Sequence, residues 1–371
     1  MTVLKTGIVG TGKVAPTHAA ALLALPESQF TGVCSRSFES ARAFADQYHI
    51  TAYRSVEEMI VKGGVQAVLI TTPHPAHAAP ALQAMALGVH VIVEKPLASS
   101  LEDCDAMIAA ARNANVKLAM ISQRRLYAPV QRIKQAIESG KLERPVLGTA
   151  TMLGWRSREY YASDAWRGTW EGEGGGVLVN QAPHQLDLLQ WFMGDIDEVY
   201  AYWGNLNHPY IEVEDTALAV VRFKSGAFGN ILVSNSQNPA LYCRVAVYGS
   251  NGAGAGVKTD GGAMFIAGMS SITEPPINDL WTLPNEVDML AGWQKEDRDF
   301  FQTIDSTRYY HQLQIQDFLQ SILEDRAPMV TGEEGRKTVE LFTAIYRAQR
   351  DQRPVKFPLR PEAISNQNGY E

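Results

Sequence analysis

Cysteine is scarce. The 371 residues hold three, Cys34, Cys104 and Cys243, which are odd in number, far apart and without CxxC spacing. They give no disulfide framework and no zinc site, and suit three buried small hydrophobes in a reducing compartment. A basic stripe is also missing: Lys and Arg number 33 against 40 Asp and Glu, a net charge of -7, and the cations are dispersed. This argues against a nucleic-acid partner. No apolar run reaches membrane-spanning length, and no charged leader with an apolar segment precedes the strand-like residues from Leu4. Membrane insertion and export are both disfavoured, and a cytoplasmic location is expected. No His, Asp and Glu set has metal-ligand spacing, so no metal is expected; His74 and His90 have no partner pattern.

What is present is an ordinary globular composition, 46% hydrophobic and 20% charged, in a chain long enough for two domains. Short apolar runs at 6–9, 30–34, 65–71, 89–93 and 117–121 alternate with helical patterns at 37–48, 75–87 and 101–113. Strands alternating with helices predict a parallel, doubly wound sheet over residues 1–122. After Pro129 the pattern changes. A helix is predicted at 130–139, followed by strands at 146–153, 198–203, 216–223, 227–234 and 241–248, with a hairpin at Lys224-Ser225-Gly226. Further helices are expected at 183–193, 310–324 and 333–350, and the glycine-rich stretch 249–262 reads as loop or turns. Residues 123–371 are therefore expected to form an α+β domain with a large, mostly antiparallel open sheet, serving substrate binding and oligomerisation.

Gly10-Thr11-Gly12-Lys13-Val14-Ala15 is a GxGxxA motif directly between the first strand and the first helix. In that context Gly10 permits the tight turn, Gly12 lets backbone approach a pyrophosphate, and Ala15 keeps the helix close to its strand, with Lys13 and Val14 at the phosphates. A glycine turn without a ligand would not be expected to have βαβ grammar behind it. The first domain thus reads as a Rossmann dinucleotide-binding domain. A site for NAD usually has an acid at the end of the second strand; here the residues are Cys34-Ser35-Arg36, and the first acid is Glu39. Ser35 and Arg36 suit a 2′-phosphate, which slightly favours NADP over NAD, while a solvated Arg36 that starts a helix would leave dual use open.

Two further segments carry chemistry. Glu94-Lys95-Pro96 follows a buried strand, where open α/β sheets bind ligands, and Gly174-Gly175-Gly176 leads through Asn180 and Pro183 to His184 in the first turn of a helix. Together with GxGxxA and Thr72-Pro73-His74-Pro75-Ala76-His77, these segments resemble the Gfo/Idh/MocA family, the glucose-fructose oxidoreductase and inositol dehydrogenase group, through nearly the whole chain. The resemblance implies an open antiparallel sheet in the second domain and oxidation or reduction of secondary hydroxyls of sugars and cyclitols with NAD or NADP. It implies catalytic roles at Lys95, Asn180 and His184. Asn180 departs from the Asp of inositol dehydrogenase-like members; an amide cannot take a proton, so a hydrogen-bonding role toward a substrate hydroxyl or His184 is expected instead.

The chemistry agrees with this. Oxidising a carbinol leaves a proton that needs a base near neutral pKa, which His184 supplies, while Lys95 stabilises the developing alkoxide. A capping or core histidine and a surface lysine are the structural alternatives. Thr72, Pro73, His77, Glu94, Gln123, Trp166 and Arg167 are further cofactor candidates, and Arg124, Tyr127, Trp155 and Tyr309 further substrate candidates, with Tyr310 and His311 beside the last. His18 and His77 have capping or packing as competing roles. Trp155, Tyr160, Tyr161, Trp166 and Trp170 fall close together and suit pyranose stacking or a core cluster equally. Few spare cations argue against phosphorylated or nucleotide sugars. Two other readings compete: a redox-neutral enzyme that cleaves glycosides with tightly bound NAD, and a non-catalytic cofactor-binding sensor. Apolar alternation in the second sheet predicts a homodimer or homotetramer.

Overall fold

The computed structural model describes residues 3–259 and 269–362. The chain divides into two compact units, Met1–Gln123 with Ser306–Val339, and Arg124–Asp305 with Glu340–Glu371. The first unit is therefore not one continuous stretch, since residues 306–339 return to it.

In the first unit, β1 (Leu4–Val9), β2 (Ser28–Cys34), β3 (Thr51–Tyr53), β4 (Ala67–Ile70), β5 (His90–Val93) and β6 (Leu118–Met120) form one sheet in the order β3-β2-β1-β4-β5-β6. Every pairing is parallel. β4 and β6 are buried throughout, as strands covered on both faces must be. The expected five strands are present and β3 is added at the edge, where a three-residue strand is too short to show a periodic signal. The helix Leu101–Asn113 has the expected bounds and starts at a Ser100 cap, whose hydroxyl accepts the Asp103 amide. The helix Tyr309–Leu323 supplies Ile315, Phe318 and Leu319 to the same core as Ile8, Leu22 and Val33. Gln314 of that helix accepts the Ser122 amide and donates to the Met120 carbonyl, which ties it to the end of β6.

The second unit holds an eight-stranded sheet of β7 (Pro145–Leu153), β8 (Ile196–Gly204), β9 (Thr216–Phe223), β10 (Phe228–Ser234), β11 (Tyr242–Gly249), β12 (Gly254–Lys258), β13 (Ile277–Trp281) and β14 (Val355–Lys356). Its order is β13-β12-β11-β7-β10-β9-β8-β14, antiparallel except for the β7/β10 pair. The expected hairpin joins β9 and β10, with Gly226 at φ 84° making the turn. The stretch read as loop contains β12, its Ala and Gly residues pairing with β11 and β13; residues 260–262 of it lie outside the described residues. β9 alternates strictly: Ala217, Ala219, Val221 and Phe223 are buried, while Leu218 and Val220 face out. Opposite them in register stand Tyr202 on β8 and Leu232 on β10, so the sheet presents an apolar outer face. Its inner face takes the helix Pro183–Met193 against β7 and β11.

All three cysteines are buried and outside any disulfide, and burial pushes the Cys34 thiol up to about 12. Among the described residues no helix is long and apolar enough to cross a membrane, and no group of three or more His, Cys, Asp or Glu side chains has the arrangement to hold a metal ion.

Candidate active site

Each unit carries some of the candidate residues. In the first, Gly10 leaves β1 with φ 102°, a conformation that suits glycine, and its amide donates to the Cys34 carbonyl at 2.8 Å. A Cβ there would lie 2.9 Å from the Thr71 carbonyl carbon. At Gly12 a Cβ would meet nothing nearer than the Thr71 oxygen at 3.7 Å, so the protein's own packing leaves the space above Gly12 open. The following helix, Ala15–Ala24, has no side-chain cap and no acid in its first turn. Uncapped amides, open space and absent negative charge together make a cradle that fits a dinucleotide's pyrophosphate. Lys13 is exposed and Val14 half-buried at the entrance. At the end of β2, Ser35 accepts the Thr11 hydroxyl at 3.2 Å and Arg36 is exposed, while Ser37 caps the next helix.

Lys95 follows β5, half-buried, with a cis bond to Pro96. Its amide donates to Glu94 Oε2 at 3.1 Å, and Glu94 Oε1 meets His18 Nε2 at 2.6 Å. Burial alone would raise the Glu94 pKa, but the His18 hydrogen bond and the charges of His18, His311 and Lys95 outweigh it and hold the carboxyl at about 2. His311 meets the His18 ring edge-on at 5.5 Å, with Nδ1 2.9 Å from the Thr307 carbonyl; burial pulls its pKa down to about 4. Glu94 is thus a buried positioning group for the Lys95 backbone. His77 is fully buried with both ring nitrogens 2.9 Å from carbonyl oxygens, those of Pro96 and Thr72, and burial depresses its pKa. The ring pins the two loops together, the packing role that competes with cofactor contact. Thr72 folds back to the Ala76 carbonyl, and Pro73 is exposed beside it. Gln123 is buried with Oε1 lacking a protein partner, and Tyr309 is half-buried, stacked edge-on against Tyr310.

In the second unit the three glycines form a turn held from below by Glu214, whose carboxylate accepts the Gly176 and Leu178 amides, each at 2.9 Å. A Cβ on Gly176 would sit 1.9 Å from the Glu214 backbone oxygen, so the strand end and the turn touch directly. Asn180 ends the short helix Val177–Asn180, and His184 sits in the first turn of Pro183–Met193, buried. The Asn180 amide nitrogen donates to Glu173 and, at 3.0 Å, to the Tyr160 hydroxyl, which also takes hydrogen bonds from Gln181 and Arg167. Burial first, then the nearby Glu173, keeps Tyr160 above the ordinary phenol range. Asp187, on the His184 helix, is clamped by Arg125 through two bonds of 2.8 and 2.6 Å. Arg124 and Gln185 share the Thr259 hydroxyl, and Tyr127 is buried. Trp155 packs on His208, and Arg167 lies over both Trp166 and Tyr160 while bonding Asp164 at 3.0 Å.

Residues 4–122 match the family model described as the oxidoreductase family with an NAD-binding Rossmann fold, and residues 130–254 match the GFO/IDH/MocA C-terminal domain. The chain belongs to the Gfo/Idh/MocA family. Myo-inositol 2-dehydrogenase of Thermotoga maritima is 25% identical over 95% of this chain and 98% of its own length. D-apiose dehydrogenase of Rhizobium rhizogenes is 28% identical over 63% of this chain and 66% of its own. A crystal structure of the WlbA dehydrogenase from Bordetella pertussis, in complex with NADH and UDP-GlcNAcA, superposes with a TM-score of 0.83 at 29% identity, over 97% of this chain and 99% of that one.

Like the Gfo/Idh/MocA pattern itself, the sequence marks the glycine turns, Lys95 and His184. It gives no sign of Glu173, Glu214 or of His18 as the partner of Glu94, because a buried carboxylate's role depends on which amide or imidazole the fold brings to it. The structure also resolves the aromatic cluster: Tyr160 and Tyr161 are buried core residues wired by their hydroxyls, and Trp170 packs against Trp203 and Tyr346.

Proposed function

We propose that this protein is an NAD(P)-dependent dehydrogenase of a secondary carbinol in a sugar, glycoside or cyclitol, with His184 as general acid/base and Lys95 as the polarising cation. The observation that carries this reading is that the open Gly12 cradle after β1 and Lys95 after β5 lie at the carboxyl ends of strands in one parallel sheet, the edge where such sheets take ligands. The nicotinamide, when bound, supplies hydride transfer at the carbinol carbon. Lys95 stabilises negative charge on the carbinol oxygen, His184 takes or returns its proton, and Asn180 orients a substrate hydroxyl. Arg125, Arg132, Arg167 and Arg244 are each paired with a carboxylate of the same unit, which supports an uncharged polyol, and the UDP-GlcNAcA in the related WlbA structure is the counterweight.

The exposed Arg36 and the lack of an acid at the end of β2 support NADP over NAD, and the NADH in the related structure is the counterweight. A homodimer or homotetramer through the outer sheet face of Leu218, Val220, Tyr202 and Phe228 is part of the same reading, as is a cytoplasmic location for a protein with three reduced thiols. A monomer by sedimentation at micromolar concentration would remove the oligomer. Absorbance at 340 nm tests the function, with NAD and NADP separately against free sugars, cyclitols, glycosides and their keto forms. Substrate-dependent turnover is expected. Silence across the panel with cofactor retained on the purified protein would overturn it in favour of redox-neutral glycoside cleavage.

A further inference from the structure

Two guanidiniums lie over the Tyr160 ring, that of Arg167 at 4.3 Å and that of Arg156 at 5.1 Å from its centre. Asp164 matches the charge of Arg167 at 3.0 Å. Arg156 has no such match: among the described residues no Asp or Glu oxygen lies within 4.0 Å of its guanidinium, although the residue is only 4% exposed. Arg125 and Arg347 are buried too, and each has its carboxylate, Asp187 and Glu362. Arg156 Nη1 donates to the Trp155 carbonyl at 2.8 Å, and Nε is buried without a hydrogen-bond partner. The phenols beside it bring no negative charge, since burial holds Tyr160 and Tyr161 above the ordinary range. A buried charge is expensive unless it is paired, and this one stands beside the residue read as orienting the substrate. The Tyr160 hydroxyl accepts from the Asn180 and Gln181 side chains, each at 3.0 Å. Gln181 accepts from Asn235 at 2.9 Å, and the Asn235 carbonyl takes the Arg156 backbone amide at 3.1 Å.

We propose that Arg156 binds a carboxylate of the substrate, so that the polyol is an acidic one, a uronic or aldonic acid or a glycoside of one. This rests on the dehydrogenase reading and narrows its substrate from an uncharged polyol to one with a single negative charge. A carboxylate fits better than a phosphate. The planar guanidinium fork matches two carboxylate oxygens, and one positive charge balances one negative charge. A phosphate monoester brings about two negative charges at pH 7. The second cation over the Tyr160 ring, Arg167, already has Asp164 as its counter-ion.

A panel of hexuronates and aldonates, the methyl ester of each, and the 6-phosphates of the parent sugars tests the proposal on the full chain with cofactor added. Binding is read by calorimetric titration and turnover at 340 nm. The wild type is expected to prefer a free acid over its own methyl ester by about tenfold or more in both Kd and kcat/KM. In Arg156→Met that ratio should fall to about one. The variant should melt within about 2 °C of wild type, because it removes a charge that has no carboxylate to strand, whereas Arg125→Met, which strands Asp187, should lose several degrees. An ester bound as well as its acid by the wild type would overturn the proposal without recourse to any variant, as would the absence of binding by every free acid. A preference for the acid that persists in Arg156→Met would place the carboxylate elsewhere, and a 6-phosphate preferred over every acid would replace it with a phosphate. Silence of the whole panel at 340 nm would sink the dehydrogenase reading instead, while the titrations would still decide the role of Arg156.

Discussion

His18 and Glu94 lie 76 positions apart in the chain and meet at 2.6 Å, both buried, one on the helix that follows the glycine turn and the other beside the lysine that follows β5. The pair joins the cofactor cradle of the first unit to the backbone of Lys95. Leaving a buried carboxylate without its partner typically costs about 3–5 kcal/mol.

The same pair sets an acid limit. Glu94 titrates near 2 in the fold against an ordinary 4.5, so its stabilisation is present above pH 4.5 and is lost as pH falls toward 2. At about 1.4 kcal/mol per pKa unit this amounts to roughly 3 kcal/mol. Glu94→Gln should therefore be markedly less stable than wild type at pH 7, and the two unfolding midpoints should converge below about pH 3. A gap that stays constant from pH 7 to pH 3 would count against the assignment.

Lys95→Met and His184→Asn separate two parts of the proposed chemistry. Loss of a general acid/base typically costs about 10²–10⁴ in rate, and loss of one electrostatic stabiliser about 10²–10³. Both variants should drop kcat by at least about a hundredfold at 340 nm while cofactor still quenches their tryptophan fluorescence. Turnover within threefold of wild type in either would remove that residue from the mechanism.

Much of this was legible in the sequence because it depends on local pattern. The helix Pro183–Met193 and the strand Thr216–Phe223 have their expected bounds, since a proline at a helix start and a strict apolar alternation are signals within one element. Other features depend on partners distant in the chain. Gly254–Lys258 is a strand because β11 and β13 flank it, although glycines alone predict turns. The helix Met289–Phe301, with Asp297 bonded to Arg132, went unread, as did the return of residues 306–339 to the first unit. Glu173 and Glu214 look like any other acids until the fold puts amides against them.

Gly12 and Gly176 should respond to alanine in opposite ways. A Cβ at Gly12 has open space, so Gly12→Ala should keep the unfolding midpoint of the cofactor-free protein within about 1 °C while weakening cofactor binding by tenfold or more. At Gly176 the Cβ would fall 1.9 Å from the Glu214 carbonyl oxygen, and overpacking of this kind typically costs about 1–3 kcal/mol, occasionally more. Gly176→Ala should lower the midpoint by several degrees. Calorimetry and fluorescence titration on the same two samples check both, and a Gly12→Ala protein that unfolds early would mean the glycine serves packing.

Glu214 gives the fold a pH dependence of the opposite sign to Glu94. Burial drives its pKa up from 4.5, and although the Leu178 and Gly176 amides pull it down, it remains at about 7. A carboxyl with a raised folded pKa is stabilising while protonated, so this contribution is whole below pH 4.5 and declines as pH rises to 7, by roughly 3 kcal/mol at most. Glu214→Gln holds the side chain neutral throughout. Its new amide nitrogen faces one of the two backbone amides at every pH, a constant penalty, and against that offset the wild type should lose several degrees relative to the variant between pH 5 and pH 8. Because the carboxyl supports the Gly174–Gly176 turn ahead of Asn180 and His184, the variant's kcat should also vary less between pH 6 and 8 if the turn transmits the ionisation. Parallel melting curves for the two proteins across pH 5 to 8 would show that Glu214 is already ionised at pH 5, with the two amides outweighing its burial.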